Sequence, residues 1–341
     1  MRPHPVLFPL SFIYGFIVWL RNLFFDIGLL RSIDVGVPVI SIGNITAGGT
    51  GKTPIVMNAA RIVQDSGKTV AIVSRGYGRA TRGTVVACDG KRILTDAVSA
   101  GDEPLMIARN LKTAVVIVDE DRVRGAKKAI DGFGAQVIIL DDGFQHRYIK
   151  RTKDIVLIDA AQLPFDMMML PAGYRREWIG SLKRANGVVI TKAKNSADAE
   201  NILRDDRIGF IQKKFSGSFV PSGMRHLFGG VAQTLETMKG RSAVAVCGIA
   251  RPEMFFLELE KCGVSLKAVY SFPDHHAFKI SEIESFIRSF HEHNADFILT
   301  TEKDGVRLQE FESILNNLPV SALIMDAAIH QQDEWKKYLL S

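Results

Sequence analysis

A glycine-rich stretch close to the N-terminus has the composition of a phosphate-binding loop. It reads SIGNITAGGTGKTP from Ser41 to Pro54, and it matches the pattern G-x-x-x-x-G-K-[ST] except that Thr46 stands where the first glycine is expected. An apolar β-branched run (37–42) precedes the loop and a predicted helix follows it, which is the context that the motif requires. A glycine-rich turn without a ligand is the weaker interpretation, so the sequence predicts a nucleotide site.

The chemistry of such a loop assigns a role to each part of it. Backbone N–H groups and the positive end of the following helix would hold phosphate oxygens. Lys52 would reach the β- and γ-phosphates, and the Thr53 hydroxyl would coordinate Mg²⁺. The expected nucleotide-binding residues are Thr46, Ala47, Gly48, Gly49, Thr50, Gly51, Lys52 and Thr53.

Two common branches of P-loop proteins do not fit the sequence. Partitioning-type ATPases carry a lysine just before the double glycine, where this chain has Ala47. GTPases recognise guanine with the sequence N/T-K-x-D, but the stretch TKAK (191–194) has Lys194 in place of the aspartate. Because the carboxylate that recognises guanine is missing, we expect ATP.

Paired acids follow a second buried run. The stretch VIILDDGFQH places Asp141 and Asp142 at the end of a predicted strand, where carboxylates can hold Mg²⁺ directly or through water. Asp159, in IVLIDAA, is the competing candidate, but it is equally suited to a turn or a cap. We favour the adjacent pair as the metal site.

Three shorter motifs carry further candidates. GDEP (101–104) places two carboxylates at a predicted helix start, where they would either stabilise the helix dipole or take part in catalysis. SRGYGR (74–79) follows a strand, where α/β sheets bind ligands, although a solvated turn is the alternative. In FPDHHAF (272–278), a histidine held by a carboxylate would be a good proton acceptor, and a surface turn is equally compatible. The residues concerned are Asp102, Glu103, Arg75, Tyr77, Arg79, Asp274, His275 and His276.

Strand and helix patterns alternate along the chain and predict the framework of these motifs. Continuous apolar runs indicate strands covered on both faces, as in a parallel sheet. The first set lies at 37–42, 69–73, 114–118, 136–140, 154–158 and 187–191, and the second at 242–247, 266–272, 296–301 and 320–325. The sequence therefore predicts an α/β fold: a doubly wound P-loop domain (36–208), an extended linker (209–240) and a smaller α/β domain (241–341).

The N-terminal segment (1–35) differs from the rest. Val6 to Leu20 is uncharged and aromatic, and apolar residues occur on all its faces. Fifteen residues are short for a spanning helix, which needs about 20. A buried helix is one interpretation, and we favour a helix at a membrane interface, with Tyr14 and Trp19 as amphipathic anchors.

Composition indicates a globular protein with anionic partners. The 341 residues are 47% hydrophobic and carry a formal net charge of +6, which fits nucleic acid, anionic lipid and phosphorylated substrates alike, so that charge alone does not choose among them. The basic residues are dispersed and no nucleic-acid-binding motif is found, so nucleic acid is not an expected partner. Three scattered cysteines form no C-x-x-C pattern and indicate a reducing compartment.

Taken together, the motifs resemble the tetraacyldisaccharide 4′-kinases of lipid A biosynthesis. The blocks GNITAGGTGKTP, SRGYGR, GDEP, LDDGFQH, LPAGYRRE, CGIARPEMFF, FPDHH and TTEKDGVRL occur in the family's order and cover most of the chain from residue 37 onward. The resemblance implies transfer of the ATP γ-phosphate to the 4′-hydroxyl of a tetraacyldisaccharide 1-phosphate, giving lipid IVA. It also implies a location on the cytoplasmic face of a Gram-negative inner membrane, with no obligate protein partner.

The same resemblance implies residue roles. Asp102, helped by His275 with His276 as the alternative, would accept the proton of the sugar hydroxyl, and the second domain would close over ATP. Glu103, Asp141 and Asp142 would serve Mg²⁺, and the nucleotide or headgroup would contact Arg75, Tyr77, Gln145, His146, Arg176 and Glu177. The family's P-A-G-P-L-R-E-P is interrupted here by Tyr174, Arg175 and Trp178, which leaves the contacts of this loop open.

Two other functions are compatible with the motifs. A P-loop ATPase that drives a partner would hydrolyse ATP without lipid and would not need FPDHH. A nucleotide-regulated membrane-binding module would tolerate Asp102→Ala but not loss of its N-terminal segment.

Overall fold

The computed structural model describes residues 5–111, 113–230, 232–274 and 276–341. It divides into two units, the first made of Met1–Phe219 with Ala327–Ser341 and the second of Val220–Asp326. The chain passes from one unit to the other twice, within two long strands. The predicted α/β class is confirmed in both units.

The first unit carries the predicted nucleotide motifs. Its helices are α1 (Phe8–Asp26), α2 (Lys52–Asp65), α3 (Ala97–Ala100), α4 (Asp102–Asn110), α5 (Arg122–Phe133), α6 (Ser196–Leu203) and, at the C-terminus, α11 (Gln332–Leu340). Its strands are β1 (Val39–Gly43), β2 (Val70–Ser74), β3 (Val85–Asp89), β4 (Val115–Val118), β5 (Val137–Asp141), β6 (Lys153–Asp159), β7 (Gly187–Thr191) and the first part of β8 (Lys213–His226).

These strands form one sheet in the order β3-β4-β2-β5-β1-β6-β7-β8. Pairing is parallel from β4 to β8, and only the edge pair β3–β4 is antiparallel. Strands β1, β2, β5, β6 and β7 are buried along their whole length, as continuous apolar runs require in a sheet covered on both faces. The carboxyl ends of β1, β2 and β5 therefore lie side by side, and the predicted site residues follow them.

The second unit is a smaller α/β structure. It contains β9 (Ala232–Gln233), β10 (Ser242–Cys247), β11 (Ser265–Ser271), β12 (Phe297–Thr301) and the first part of β13 (Val320–Ile329), with helices α7 (Pro252–Lys261), α8 (Ile280–Glu292), α9 (Glu302–Leu308) and α10 (Glu312–Leu315). Strands β11, β10, β12 and β13 pair in parallel in that order.

Helix α1 keeps much of its apolar surface exposed. Its 19 residues are long and apolar enough to cross a membrane by length and composition, and only 22% of the apolar window is buried within the protein. Phe12, Ile13, Phe16 and Ile17 are each more than half exposed, whereas Ser11, Gly15 and Val18 are buried against the first unit.

The C-terminal segment belongs to the first unit, although the sequence-based boundaries assign residues 241–341 to the smaller domain. Packing explains the difference. Trp335 of α11 is fully buried edge-to-face against Phe215, with ring centroids 5.0 Å apart, and its indole N–H donates to Asn58 on α2 at 2.9 Å. Such contacts join residues far apart in sequence and leave no local pattern.

Candidate active site

The glycine-rich loop connects β1 to α2 in the first unit. Gly51 ends the loop in the left-handed conformation, with φ +82°, which glycine adopts at little cost. The ring of Phe219 lies directly over it, so that a Cβ at Gly51 would be 2.0 Å from a ring carbon. Lys52 and Thr53 then open α2. The backbone thus has the geometry of a phosphate-binding loop at a helix N-terminus.

Residues that follow β7 support this loop. The Thr191 hydroxyl donates to the carbonyl of Thr50 at 3.0 Å, and the Lys192 ammonium donates to the carbonyl of Gly49. Lys192 also pairs with the buried Asp159 at 2.9 Å, so the competing acid is engaged in an ion pair. TKAK, considered in the sequence only for guanine recognition, therefore holds the phosphate loop in shape.

The paired acids lie at the carboxyl end of β5, where Asp141 is its last residue, and they have different surroundings. Asp141 is buried and accepts a hydrogen bond from the Ser74 hydroxyl at 3.0 Å. Burial, with the carboxylates of Glu103 and Asp142 nearby, raises the pKa of Asp141 to about 7. Asp142 lies 3.5 Å from the Lys52 ammonium, and although burial alone would raise its pKa, Lys52 and Arg176 hold that pKa below its ordinary value.

These acids fit a hard cation. Within the described part of the chain, the Oδ1 atoms of Asp141 and Asp142 are buried and accept no hydrogen bond. No cluster of three or more His, Cys, Asp or Glu side chains capable of holding a metal is found among the described residues. Mg²⁺ commonly takes one or two carboxylates and completes its shell with water and substrate phosphates. The Asp141 Oδ1 atom, the Asp142 carboxylate beside Lys52 and the Thr53 hydroxyl are donors of that kind.

Close backbone contacts bring GDEP and SRGYGR together. A Cβ at Gly76 would be 2.6 Å from the carbonyl of Ala100, and one at Gly101 would be 3.1 Å from the carbonyl of Tyr77. Both glycines have positive φ. Asp102 begins α4 directly after this contact and is partly exposed. The two motifs therefore form one edge of the site beside the acid pair.

Arg122 is a site residue that the sequence analysis missed. It opens α5 after β4, it is buried, and its guanidinium donates to the carbonyl of Asp119 at 2.9 Å. Burial lowers the pKa of Arg122 to about 10, and the charges of Asp141 and Asp142 oppose that shift. Its position could have indicated a role in the site, because it follows the carboxyl end of a predicted strand, where α/β sheets bind ligands.

The predicted substrate residues around the acids differ in exposure. Arg75 and Tyr77 are exposed. The Gln145 amide donates to the carbonyl of Asn44 at 2.7 Å and so supports the start of the phosphate loop. Burial and the nearby cations Arg122 and Arg75 lower the pKa of His146 to about 4.

Residues 169–178, called here the 169–178 loop, lie against the other edge of the phosphate loop. Ala47 donates its amide to the carbonyl of Tyr174, and Arg176 donates its amide to the carbonyl of Ile45, each at 2.7 Å. The Arg176 guanidinium pairs with Asp142 at 2.7 Å, so this predicted ligand residue faces the site. Glu177 was expected beside it, but its side chain is fully buried and its carboxylate contacts other protein groups.

In the second unit, His275 lies outside the described residues. The neighbouring His276 has its Nε2 2.8 Å from a carboxylate oxygen of Glu282, and its ring stacks on Phe272 with centroids 4.7 Å apart. The Nε2 atom of His276 and one face of its ring therefore both have partners within its own unit.

Comparison with known proteins gives a consistent result over the whole chain. A family model described as Tetraacyldisaccharide-1-P 4′-kinase matches residues 3–341. The tetraacyldisaccharide 4′-kinase of Geobacter metallireducens is 39% identical over 300 residues, 88% of this chain and 87% of the relative. That of Chlorobium phaeovibrioides is 35% identical over 341 residues, 98% of this chain and 96% of the relative. The crystal structure of LpxK from Aquifex aeolicus in complex with ATP has a TM-score of 0.80 and 30% identity, covering 98% of this chain and 97% of that one.

Proposed function

Since this chain belongs to the tetraacyldisaccharide-1-P 4′-kinase family, we propose that Asp102 accepts the proton of the acceptor hydroxyl while Lys52 and a magnesium ion stabilise the transferring phosphate. The protein is a kinase of lipid A biosynthesis that uses ATP to phosphorylate the 4′-hydroxyl of tetraacyldisaccharide 1-phosphate.

The observation that carries the mechanism is the contact between the phosphate loop and the acid pair. Lys52 opens α2 with its ammonium 3.5 Å from Asp142, and Arg176 contacts the same carboxylate from the other side. Phosphoryl transfer depends almost entirely on positioning and on stabilising charge, and two cations beside the phosphate site provide both. Lys52 would bind the β- and γ-phosphates.

Asp102 is the residue we assign as general base. The acceptor oxygen attacks the γ-phosphorus, its proton passes to the Asp102 carboxylate, and the bond between the γ-phosphorus and the bridging oxygen breaks to release ADP. Asp102 is partly exposed at the start of α4 and can therefore meet a substrate hydroxyl. The close packing of Gly101 on Tyr77 fixes that helix start.

The Mg²⁺ site is a proposal that rests on the donor set. Asp141, Asp142 and Thr53 would hold the ion, and Glu103 would contribute directly or through water. When bound, the ion neutralises developing charge on the phosphate oxygens. The buried Oδ1 of Asp141 supports this assignment, because it accepts no hydrogen bond and a buried carboxylate oxygen without a partner is costly.

We propose that the exposed side chains of Arg75 and Tyr77 contact the substrate. Gln145 and His146, which are less exposed, are proposed to line the same site. The acceptor already carries a phosphate, and an exposed guanidinium binds such a group well. The role of His275 as the partner of Asp102 remains a prediction from the sequence. The engagement of His276 with Glu282 and Phe272 favours His275 of the two.

We further propose that the enzyme works at the cytoplasmic face of the inner membrane, anchored by α1. The exposed apolar face of α1 and the net charge of +6 support attachment to an anionic leaflet, where a four-chain lipid acceptor also resides. The enzyme is proposed to need neither nucleic acid nor an obligate protein partner.

The test is a transfer assay with detergent-purified protein alone, [γ-³²P]ATP and tetraacyldisaccharide 1-phosphate. The expected result is label in the lipid, lost on chelation of divalent cations and restored by Mg²⁺, and nearly absent in Lys52→Ala. ATP hydrolysis without labelled lipid would contradict the proposal and favour a P-loop ATPase. Transfer that persists fully in the presence of a chelator would remove the magnesium assignment.

A further inference from the structure

Both oxygens of the Glu177 carboxylate accept hydrogen bonds from other residues of the protein. Its side chain is fully buried. One oxygen accepts from Arg21 at 3.0 Å, and the other accepts from Asn22 at 3.1 Å and Arg184 at 2.8 Å. Arg21 and Asn22 belong to α1. The carboxylate thus joins the N-terminal helix to the 169–178 loop and is not turned toward a ligand.

The neighbouring residue Arg176 connects the same loop to the nucleotide site. Its amide donates to the carbonyl of Ile45 at 2.7 Å, and its guanidinium contacts Asp142 at 2.7 Å. Its carbonyl accepts a hydrogen bond from the Tyr14 hydroxyl of α1 at 3.1 Å. One residue is therefore bonded to the phosphate loop, to the acid pair and to α1 at once.

Close packing adds to these polar contacts. The Trp178 indole N–H donates to the carbonyl of Gly15 at 2.8 Å, and a Cβ at Gly15 would be 2.6 Å from the indole ring. On the previous turn of α1, the Ser11 hydroxyl donates to the carbonyl of Met169 at 3.0 Å and accepts from the amide of Ala172 at 2.9 Å. Helix α1 is thus attached to both ends of the 169–178 loop.

We propose that Glu177 is a positioning residue that makes α1 part of the support of the phosphate loop. By fixing Arg21 and Asn22 it holds the 169–178 loop on α1, and that loop holds Ile45, Ala47 and Asp142 in their places for ATP. The proposal rests on the proposed function, since it takes the phosphate loop to be the ATP site. It differs from the expected role of Glu177 as a residue that lines the substrate site.

A measurable consequence separates this role from lipid binding by α1. If α1 serves only to bind membrane or acceptor, its variants leave ATP affinity unchanged when no lipid is present. If α1 supports the phosphate loop, weakening its contacts lowers ATP affinity in the absence of lipid. Coupling between two sites of this kind commonly changes affinity roughly tenfold.

The experiment measures binding of a non-hydrolysable ATP analogue to the full chain in detergent, without acceptor. Glu177→Gln and Arg21→Met remove the charge pair, and Tyr14→Phe removes only the hydroxyl that contacts Arg176. Ile17→Ala on the exposed face of α1 is the matched control. We expect Kd to rise roughly tenfold for the first two and a few-fold for Tyr14→Phe, with Ile17→Ala unchanged. We also expect Tyr14→Phe to keep the melting temperature of the wild type.

Wild-type affinity in both Glu177→Gln and Tyr14→Phe would overturn the proposal. An equal loss of affinity in Ile17→Ala would also overturn it, because the effect would then be general to α1. If the wild-type protein itself failed to bind the analogue, the kinase assignment would fail instead, so the two failures are distinguishable.

Discussion

The Arg176 guanidinium lies 2.7 Å from the Asp142 carboxylate, and the backbone of Arg176 is bonded to the phosphate loop. Asp142 in turn lies 3.5 Å from Lys52, the lysine of that loop. The phosphate loop and the acid pair are therefore held in one arrangement through the 169–178 loop. This arrangement brings three motifs that are separated in sequence together at one place.

Gly51→Ala should impair both folding and ATP binding. The residue has φ +82°, a conformation that costs a non-glycine residue about 1–2 kcal/mol, and a Cβ there would meet the Phe219 ring at 2.0 Å. Thermal unfolding should show a clear loss of stability. Gly49→Ala is the matched control, because no atom lies within 4 Å of its Cβ position, and it should melt as the wild type does. Equal melting of Gly51→Ala and Gly49→Ala would contradict this account.

Trp335→Ala should destabilise the first unit although Trp335 is far from the site in sequence. The side chain is fully buried against Phe215 and donates to Asn58 on α2. Truncating a buried Trp typically costs ~3–5 kcal/mol. Urea unfolding of Trp335→Ala beside the exposed-site control Lys336→Ala measures this difference. Similar free energies of unfolding for the two variants would show that the packing of α11 contributes little.

His146 should make stability depend on pH. Its folded pKa of about 4 lies below its ordinary 6.5, so the unfolded chain binds a proton in this interval that the folded protein does not. The stability of the folded state should therefore fall as pH drops from about 6.5 to about 4, by roughly 3 kcal/mol in all, and should not respond to His146 above that interval.

The measurement for His146 is the difference in unfolding free energy between wild type and His146→Gln at several pH values. A difference is needed because the raised pKa of Asp141 acts in the opposite direction over an overlapping interval. The wild type should lose stability relative to His146→Gln as the solution is acidified. A constant difference from pH 7 to pH 4.5 would show that His146 has an ordinary pKa.

His275→Ala and His276→Ala should have different effects. The first should lower kcat, since His275 is predicted to assist the general base. The second removes the contacts with Glu282 and Phe272 and should mainly lower the stability of the second unit. Steady-state kinetics and thermal unfolding of both variants check this. A large fall in kcat for His276→Ala at unchanged stability would transfer the assisting role to His276.

Much of the fold follows from local sequence pattern. The predicted apolar runs coincide with strands β1, β2, β4 to β7 and β10 to β13 to within a few residues. Most of these strands are buried on both faces, which requires a continuously apolar run, whereas β11 alternates between exposed and half-buried residues. Strand β3 was not predicted, since this short antiparallel edge strand is only partly buried. Strand β8 was expected as extended structure with turns, because Gly217, Pro221 and Gly223 interrupt its pattern.

The positions of the candidate site residues follow from the sequence where a reactive side chain lies near a strand end, and less so where burial decides which partners a side chain contacts. Asp141 and Asp142 lie at the end of a strand and Lys52 opens the helix after the glycine-rich loop, and their side chains are typical of phosphate and metal binding. Arg122 could have been found from its position after a predicted strand, whereas the support by Lys192 depends on a long-range contact that no local spacing indicates. The sequence analysis predicts that Glu177 contacts the nucleotide or headgroup. In the structure its carboxylate accepts hydrogen bonds from Arg21, Asn22 and Arg184.

The central claim is that Asp102 accepts the proton of the acceptor hydroxyl, and its most direct test is single-turnover phosphoryl transfer by Asp102→Asn. The variant keeps the shape of the side chain but cannot accept the proton, so the transfer rate should fall by roughly 10²–10⁴-fold while affinity for the ATP analogue stays near that of the wild type. Glu103→Gln, the adjacent carboxylate on α4, is the comparison and should retain more of the rate. A transfer rate for Asp102→Asn within a few-fold of wild type would contradict the claim.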